Sequence, residues 1–215
     1  MKECKGKVRM VMIFNSQHRD NSRSARISMA LFRMSQAIKK LTQAESDALG
    51  LSPAQIQALL FASHTRNDAA TVGNFAKAIG ASHVTAVKIM NGLVGKGLVA
   101  KVQKADDRRV TLLELTSKGE EVAYQLQHWG QSLETELQQI SEEALAHLEL
   151  GLGAIISAMQ GRGHLIVSEP CLGCIHFMPN AEDSDNPHYC KLVQKYISHE
   201  ASLKECPEHT PFNGN

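Results

Sequence analysis

Aromatic side chains make up 5% of this 215-residue chain, with a single tryptophan, so its core must rest on aliphatic packing. No apolar run approaches the roughly 20 residues that span a bilayer. Met10 to Phe14 follows a cluster of basic residues, but so short a stretch falls below the roughly 7–15 residues of a signal-peptide core. We therefore expect a cytoplasmic protein with no membrane partner. Catalytic signatures are missing too: no acidic pair at an informative spacing, no glycine-rich phosphate loop, no nucleophile motif. A non-enzymatic role is expected. Nor is there a large net charge, since 23 basic and 22 acidic residues leave +1.

That balance hides a gradient. Residues 1–71 carry eleven basic and five acidic side chains, residues 72–115 seven and three, and residues 116–215 five and fourteen. A phosphate group responds to the nearby field rather than to the sum, so the positive half is the one suited to a polyanion. At 43% apolar and 21% charged the composition is globular, and the length fits one domain with a small appendage.

The first 24 residues read as a poorly ordered segment, and Met10, Met12 or Met29 are alternative starts. Ile27, Leu31, Met34, Ile38 and Leu41 then recur every three or four residues, which predicts an amphipathic helix over 25–47. Ser52, Pro53 and Gln55 form a capping box with proline at the first helical position. Phe75, Ala76 and Ile79 mark a short helix, Gly80 permits a sharp turn, and Ser82 caps a second helix running to about Lys96. Two short helices joined by such a turn form a helix-turn-helix pattern. Leu98, Val99 and Val102 then read as a strand and Val110, Leu112, Leu113 and Leu115 as its return. Thr116 caps the next helix. Helix-turn-helix followed by a hairpin is a winged helix. Its charged tip, Asp106-Asp107-Arg108-Arg109, answers to the narrow, negative minor groove beside a major groove that admits a helix.

In this order of elements, and in Gly97-Leu98-Val99, Asp107-Arg108-Arg109 and Leu115-Thr116-Ser117-Lys118-Gly119, the sequence resembles the MarR family of bacterial transcription regulators over about residues 25–160. The resemblance implies a mainly α, winged helix-turn-helix protein with long dimerisation helices. It would bind double-stranded DNA as a homodimer, with helix 82–96 in the major groove, Arg109 in the minor groove and Asp107 bracing that arginine. The DNA-facing residues are then Ser82, His83, Thr85, Lys88, Asn91, Lys96, Lys101, Lys104, Asp107, Arg108 and Arg109. Family members often bind aromatic acids between the dimer helices and the winged domain, but nothing in this sequence identifies an effector. Two departures stand out. Gly92 and Gly95 each cost about 1 kcal/mol in a helix interior. Val84 and Val87 read either as contacts for thymine methyls or as part of a buried face.

Val122, Leu126, Trp129, Leu133, Leu137 and Ile140 form one stripe over a helix of nearly 24 residues, about 36 Å long. Ser141 restarts a helix carrying Leu145, Leu148, Leu152, Ile155 and Met159. These are the expected partner surfaces of the homodimer, which closes the winged domain at residue 161.

Residues 162–215 differ in composition. Cys171, Cys174, Cys190 and Cys206 are four of the five cysteines. Cys-x-x-Cys lets one turn aim two sulfurs at one metal, and a cytosolic chain does not ordinarily keep such cysteines for disulfides. We expect these four to be the metal and cofactor ligands of a small, loop-rich module whose folding is coupled to metal binding. His176, His188 and His209 lie close enough in sequence to replace one cysteine. The lone Cys-x-x-Cys and the final Cys206-Pro207 favour a four-iron iron–sulfur cluster, with zinc as the alternative. The spacing is similar to small cysteine clusters in accessory subunits of some glycyl-radical enzymes, which hold four-iron clusters. The function expected is a regulator that responds to redox state, iron or oxygen. The alternatives are a winged-helix regulator with a structural zinc tail and a small aromatic effector, or a protein-interaction module without DNA binding.

Overall fold

The computed structural model describes residues 13–104, 109–182 and 184–211. Residues 16–21, expected within a poorly ordered segment, instead form helix α1 (Ser16–Asn21), capped by the Asn15 side chain. The segment's first 12 residues lie outside the described residues. Helix α2 (Arg23–Ala48) follows, capped by Ser22. Phe14 packs edge-on against Phe32 of α2 with ring centres 5.5 Å apart.

The capping box read at Ser52 is present in full at the head of α3 (Pro53–His64). The Gln55 amide donates to the Ser52 hydroxyl and the Ser52 amide to the Gln55 side chain, each at 3.2 Å. Ile56 and Leu59 of α3 are fully buried against Phe75 of α4 (Val72–Ala78) and against Met90 and Leu93 of α5 (His83–Gly95). Gly80, at φ +63°, makes the turn between α4 and α5.

Strand β1 (Val99–Gln103) pairs antiparallel with β2 (Thr111–Leu115), Val99 opposite Leu115 and Gln103 opposite Thr111. The hairpin ends on a tight joint. The Thr116 hydroxyl donates to the Gly97 carbonyl at 2.7 Å and accepts the Gly119 amide at 3.0 Å. A Cβ at Gly119 would sit 2.0 Å from the Leu98 carbonyl oxygen. The Leu-Thr-x-x-Gly pattern therefore records a close backbone approach that only glycine permits.

The long helix expected after Thr116 is broken. Helix α6 (Ser117–Gln125) passes through a 3-10 turn at Leu126–His128 to Gly130, left-handed at φ +88°, before α7 (Gln131–Leu137). Glu45 of α2 holds the restart. One of its carboxylate oxygens accepts the Gly130 amide at 2.7 Å and the other the Ser132 hydroxyl at 2.6 Å. A negative group is thereby placed at a helix start, where amides lack partners and the dipole favours it. The apolar stripe is split with the helix. Val122, Leu126 and Trp129 pack on the winged core, while Ile140 is exposed. Helix α8 (Glu142–Gly161), capped by Ser141, contains no buried residue.

The C-terminal part holds three short antiparallel strands in the order β3 (Phe177–Met178), β4 (His188–Cys190), β5 (Lys195–Ile197), then helix α9 (His199–Leu203). Its small core is Cys171, Cys190 and Ile197, with Phe177, Val193 and Ala201 against them. This module folds back onto the end of α3. The Arg66 amide donates to the Glu205 carbonyl at 2.8 Å and the Glu205 amide to the His64 carbonyl at 2.9 Å. Among the described residues no helix is long and apolar enough to cross a membrane.

Candidate nucleic-acid interface and thiol cluster

Ala86, Met90 and Leu93 fix which side of α5 is buried. The opposite side presents Ser82, His83, Thr85, Lys88 and Asn91, all exposed. The Ser82 hydroxyl accepts the Thr85 amide at 3.1 Å and caps the helix. The two valines divide: Val84 is 78% exposed on the outer face, whereas Val87 packs against the core. Gly92 lies under α3, where a Cβ would come within 2.7 Å of the Gln55 side-chain nitrogen. Nothing in the structure requires glycine at position 95.

The wing is tied to this helix. Lys101 Nζ donates to Asn91 Oδ1 at 2.6 Å. A groove of about 320 Å³ runs between them, lined by His83, Val87, Lys101 and Arg109 among others. Arg109 is exposed where the chain returns into β2. Lys104 is half-buried, and its amide closes the hairpin on the Val110 carbonyl at 3.0 Å. Asp107 and Arg108 lie outside the described residues. Lys96 is turned away from the groove, its ammonium donating to the Gly50 carbonyl at 2.6 Å and to Gln55 Oε1 at 3.3 Å.

The four cysteines of the module form no disulfide with one another, and they gather round Cys171. The Cys174 amide donates to the Cys171 carbonyl at 3.1 Å, which is the turn of the Cys-x-x-Cys, with Gly173 left-handed inside it. Cys190 comes from β4. Cys206 is brought in by reciprocal backbone bonds with Glu169. The Cys171 sulfur is within electrostatic reach of all three other thiols. Cys171, Cys190 and Cys206 are buried and Cys174 half-buried. Burial pushes the Cys171 and Cys206 thiols above the usual cysteine range, partly offset for Cys171 by the Arg66 guanidinium. Among the described residues no three His, Cys, Asp or Glu side chains are arranged to hold a single ion.

Among the described residues, one buried donor beside the thiols has no partner, Arg66 Nη2. His209 turns its Nδ1 toward the Glu169 carboxylate at 3.5 Å. Arg66 is only 3% exposed. Its Nε donates to Asp68 at 2.5 Å and its Nη1 to the Cys171 sulfur at 3.4 Å. Burial alone would drive this guanidinium toward its neutral form, but the bond and charge of Asp68 more than offset that, and its pKa stays above the ordinary arginine value. An unpaired buried donor costs free energy, and beside a set of thiols it suits a bound group that is anionic and accepts hydrogen bonds. Of the histidines, His188 has both ring nitrogens in use. Its Nδ1 accepts the Asn180 amide at 3.2 Å, so its Nε2 carries the proton and donates to His199 Nδ1 at 3.1 Å. His176 is half-buried. Arg66 was not singled out from the sequence, because one arginine in a loop gives no signal without its distant partner.

No family model matches the chain, and no curated protein matches it. Solved structures do. The S. aureus MepR–DNA complex matches at 23% identity and a TM-score of 0.55, covering 60% of this chain and 96% of that one. Apo MarR from E. coli matches at 24% identity and TM-score 0.51, covering 60% and 95%. The transcriptional regulator SlyA matches at 20% and 0.56, covering 64% and 96%. At these identities the likeness is one of fold, and the fold is the winged helix-turn-helix of MarR-like proteins.

Proposed function

We propose that the chain is a non-enzymatic, DNA-binding transcription regulator that acts as a homodimer. The observation that carries this reading is the exposed row Ser82, His83, Thr85, Lys88 and Asn91 on α5, joined to the wing through Lys101. It joins a helix sized for a major groove to a basic hairpin at its side. One of the structurally similar proteins, MepR, was solved bound to DNA, which supports the same use of this surface. Homodimerisation is supported by α8, a 20-residue helix with no residue buried within its own chain. Gel shifts against a duplex selected from a random pool, repeated across salt concentrations, test the DNA reading. Phosphate contacts release counterions and give a steep salt slope. Failure to retain any duplex above nonspecific affinity at low salt would refute it.

The thiol cluster supports a second part of the same reading. Cys171, Cys174, Cys190 and Cys206 hold a metal centre, with Arg66 as a donor toward it. Zinc bonds of about 2.3 Å would draw four sulfurs tightly round one point. A four-iron cluster binds each cysteine at a separate iron, and the lone Cys-x-x-Cys with the final Cys206-Pro207 favours that body. Such a cluster would supply redox chemistry, and with it a response to oxygen or iron. Protein purified without oxygen should be brown, absorb near 400 nm and contain about four irons. A colourless protein with one zinc per chain would overturn the iron–sulfur assignment and leave the four-thiolate site standing.

A further inference from the structure

We infer that Arg66 is the positioning residue through which the C-terminal thiol centre acts on the DNA-reading half of its own subunit. The inference rests on the metal centre proposed above, and it follows from where Arg66 stands. Its side chain belongs to the module: Nη1 reaches the Cys171 sulfur and Nη2 is buried and unpartnered beside the cluster. Its backbone joins the two, the amide donating to the Glu205 carbonyl of the module at 2.8 Å and the carbonyl serving the winged half. The Arg66 carbonyl accepts the amides of Ala69 and Ala70 at 2.8 and 3.0 Å. That turn has two further attachments. The Ala70 carbonyl accepts the amide of Leu113 in β2 at 2.8 Å, and Thr71 bridges Leu112. The Thr71 hydroxyl also caps α4 by accepting the Asn74 amide at 3.1 Å, while the Asn74 side chain donates back to the Ala69 carbonyl at 3.0 Å. One short loop thus meets the thiols, the first helix of the helix-turn-helix and the return strand of the wing.

Charge gives the connection a direction. Four thiolates around either Zn²⁺ or a [4Fe–4S]²⁺ core leave a centre of net charge −2. Arg66 is the buried cation bonded to that centre's first cysteine. Loading or emptying the centre therefore changes the force on a guanidinium whose other bond, to Asp68, lies in the loop itself. The planar fork of arginine spans both acceptors at once, which a lysine ammonium does not do. Coupling of this kind requires that the two loading states differ in their preference for a loop position.

The experiment compares wild type with Arg66→Lys and Arg66→Gln. Each protein is reconstituted anaerobically with iron and sulfide, loaded in parallel with zinc, or left without metal. Two quantities are read: hydrogen exchange at the amides of Ala69, Ala70 and Leu113, and affinity for a duplex selected by wild type. In wild type, loading should slow exchange at the three amides and change duplex affinity by about fivefold or more. Both variants should still bind metal, with both differences reduced to within about twofold. Arg66→Lys keeps the charge and the fold, so it carries the test should Arg66→Gln fail to fold. Either of two results overturns the inference: wild-type exchange at these amides indifferent to loading, or a metal-bound Arg66→Lys with the full wild-type response. A wild type that takes up no metal refutes the metal centre and the coupling together. Coupled exchange in a protein that binds no duplex refutes only the DNA reading.

Discussion

Glu45 shows how much one carboxylate decides. It holds the Gly130 amide and the Ser132 hydroxyl, and these bonds lower its pKa, the Ser132 bond most. A carboxyl whose folded pKa is depressed stabilises the fold above its unfolded pKa. That contribution is lost as the pH falls through the folded value. Stability should therefore begin to drop near the ordinary glutamate value of about 4.3 and lose the Glu45 share below it. Glu45→Ala should flatten that limb of the acid melt and cost roughly 1 kcal/mol at neutral pH; denaturant melts at pH 7 and at several pH values below about 4 measure both. Gly119 makes a harsher demand. Its absent Cβ would overlap the Leu98 carbonyl oxygen, a backbone atom with little freedom to move. Gly119→Ala should destabilise by about 1–3 kcal/mol, seen as a lower urea midpoint. Gly95→Ala meets open space and should stabilise by up to about 1 kcal/mol.

At the scale of elements, the wing and α5 should divide their labour. Arg109→Ala removes the arm of the wing and should weaken a selected duplex by about 1–3 kcal/mol. Lys101→Ala should weaken selected and random duplexes alike and lower the salt slope by about one; fluorescence anisotropy at several salt concentrations separates the two effects. The helices that form this surface were legible in the sequence because their signals are local. Ser52, Ser82, Thr116 and Ser141 each cap the helix their spacing announces. The break at Gly130 was not legible. An apolar stripe runs straight through it, and a helical glycine costs only about 1 kcal/mol. The restart is held by Glu45, 85 residues away. The same holds for Arg66 and Lys96, whose roles depend on partners 105 and 46 residues distant. The Cys-x-x-Cys turn could be read directly, but its meeting with Cys190 and Cys206 depends on the three-residue β4 and on an isolated bridge to Glu169, both too short to announce themselves.

On the scale of the whole molecule, α8 is the element out of balance. Leu145, Leu148, Leu152 and Ile155 are only half-covered, and Leu150 is 73% exposed. A second copy of the chain would cover this surface. Leu152→Asp would place a carboxylate in it, unfavourable by a few kcal/mol when buried without a partner. We expect light scattering to give twice the chain mass for wild type and the chain mass for the variant, with duplex affinity falling alongside. A folded Leu152→Asp that stays dimeric would remove α8 from the interface.

The return of the module to Arg66 also has a meaning in time. Cys171 follows Arg66 by 105 residues, which a ribosome takes roughly 5–20 seconds to add. The winged half can complete its own core in that interval, while the Arg66 side chain has no sulfur to bond. The loop it belongs to therefore meets its last partner only after α5 and the wing can have formed. A newly made chain thus passes through a stage in which the winged half is complete in sequence and its module is not.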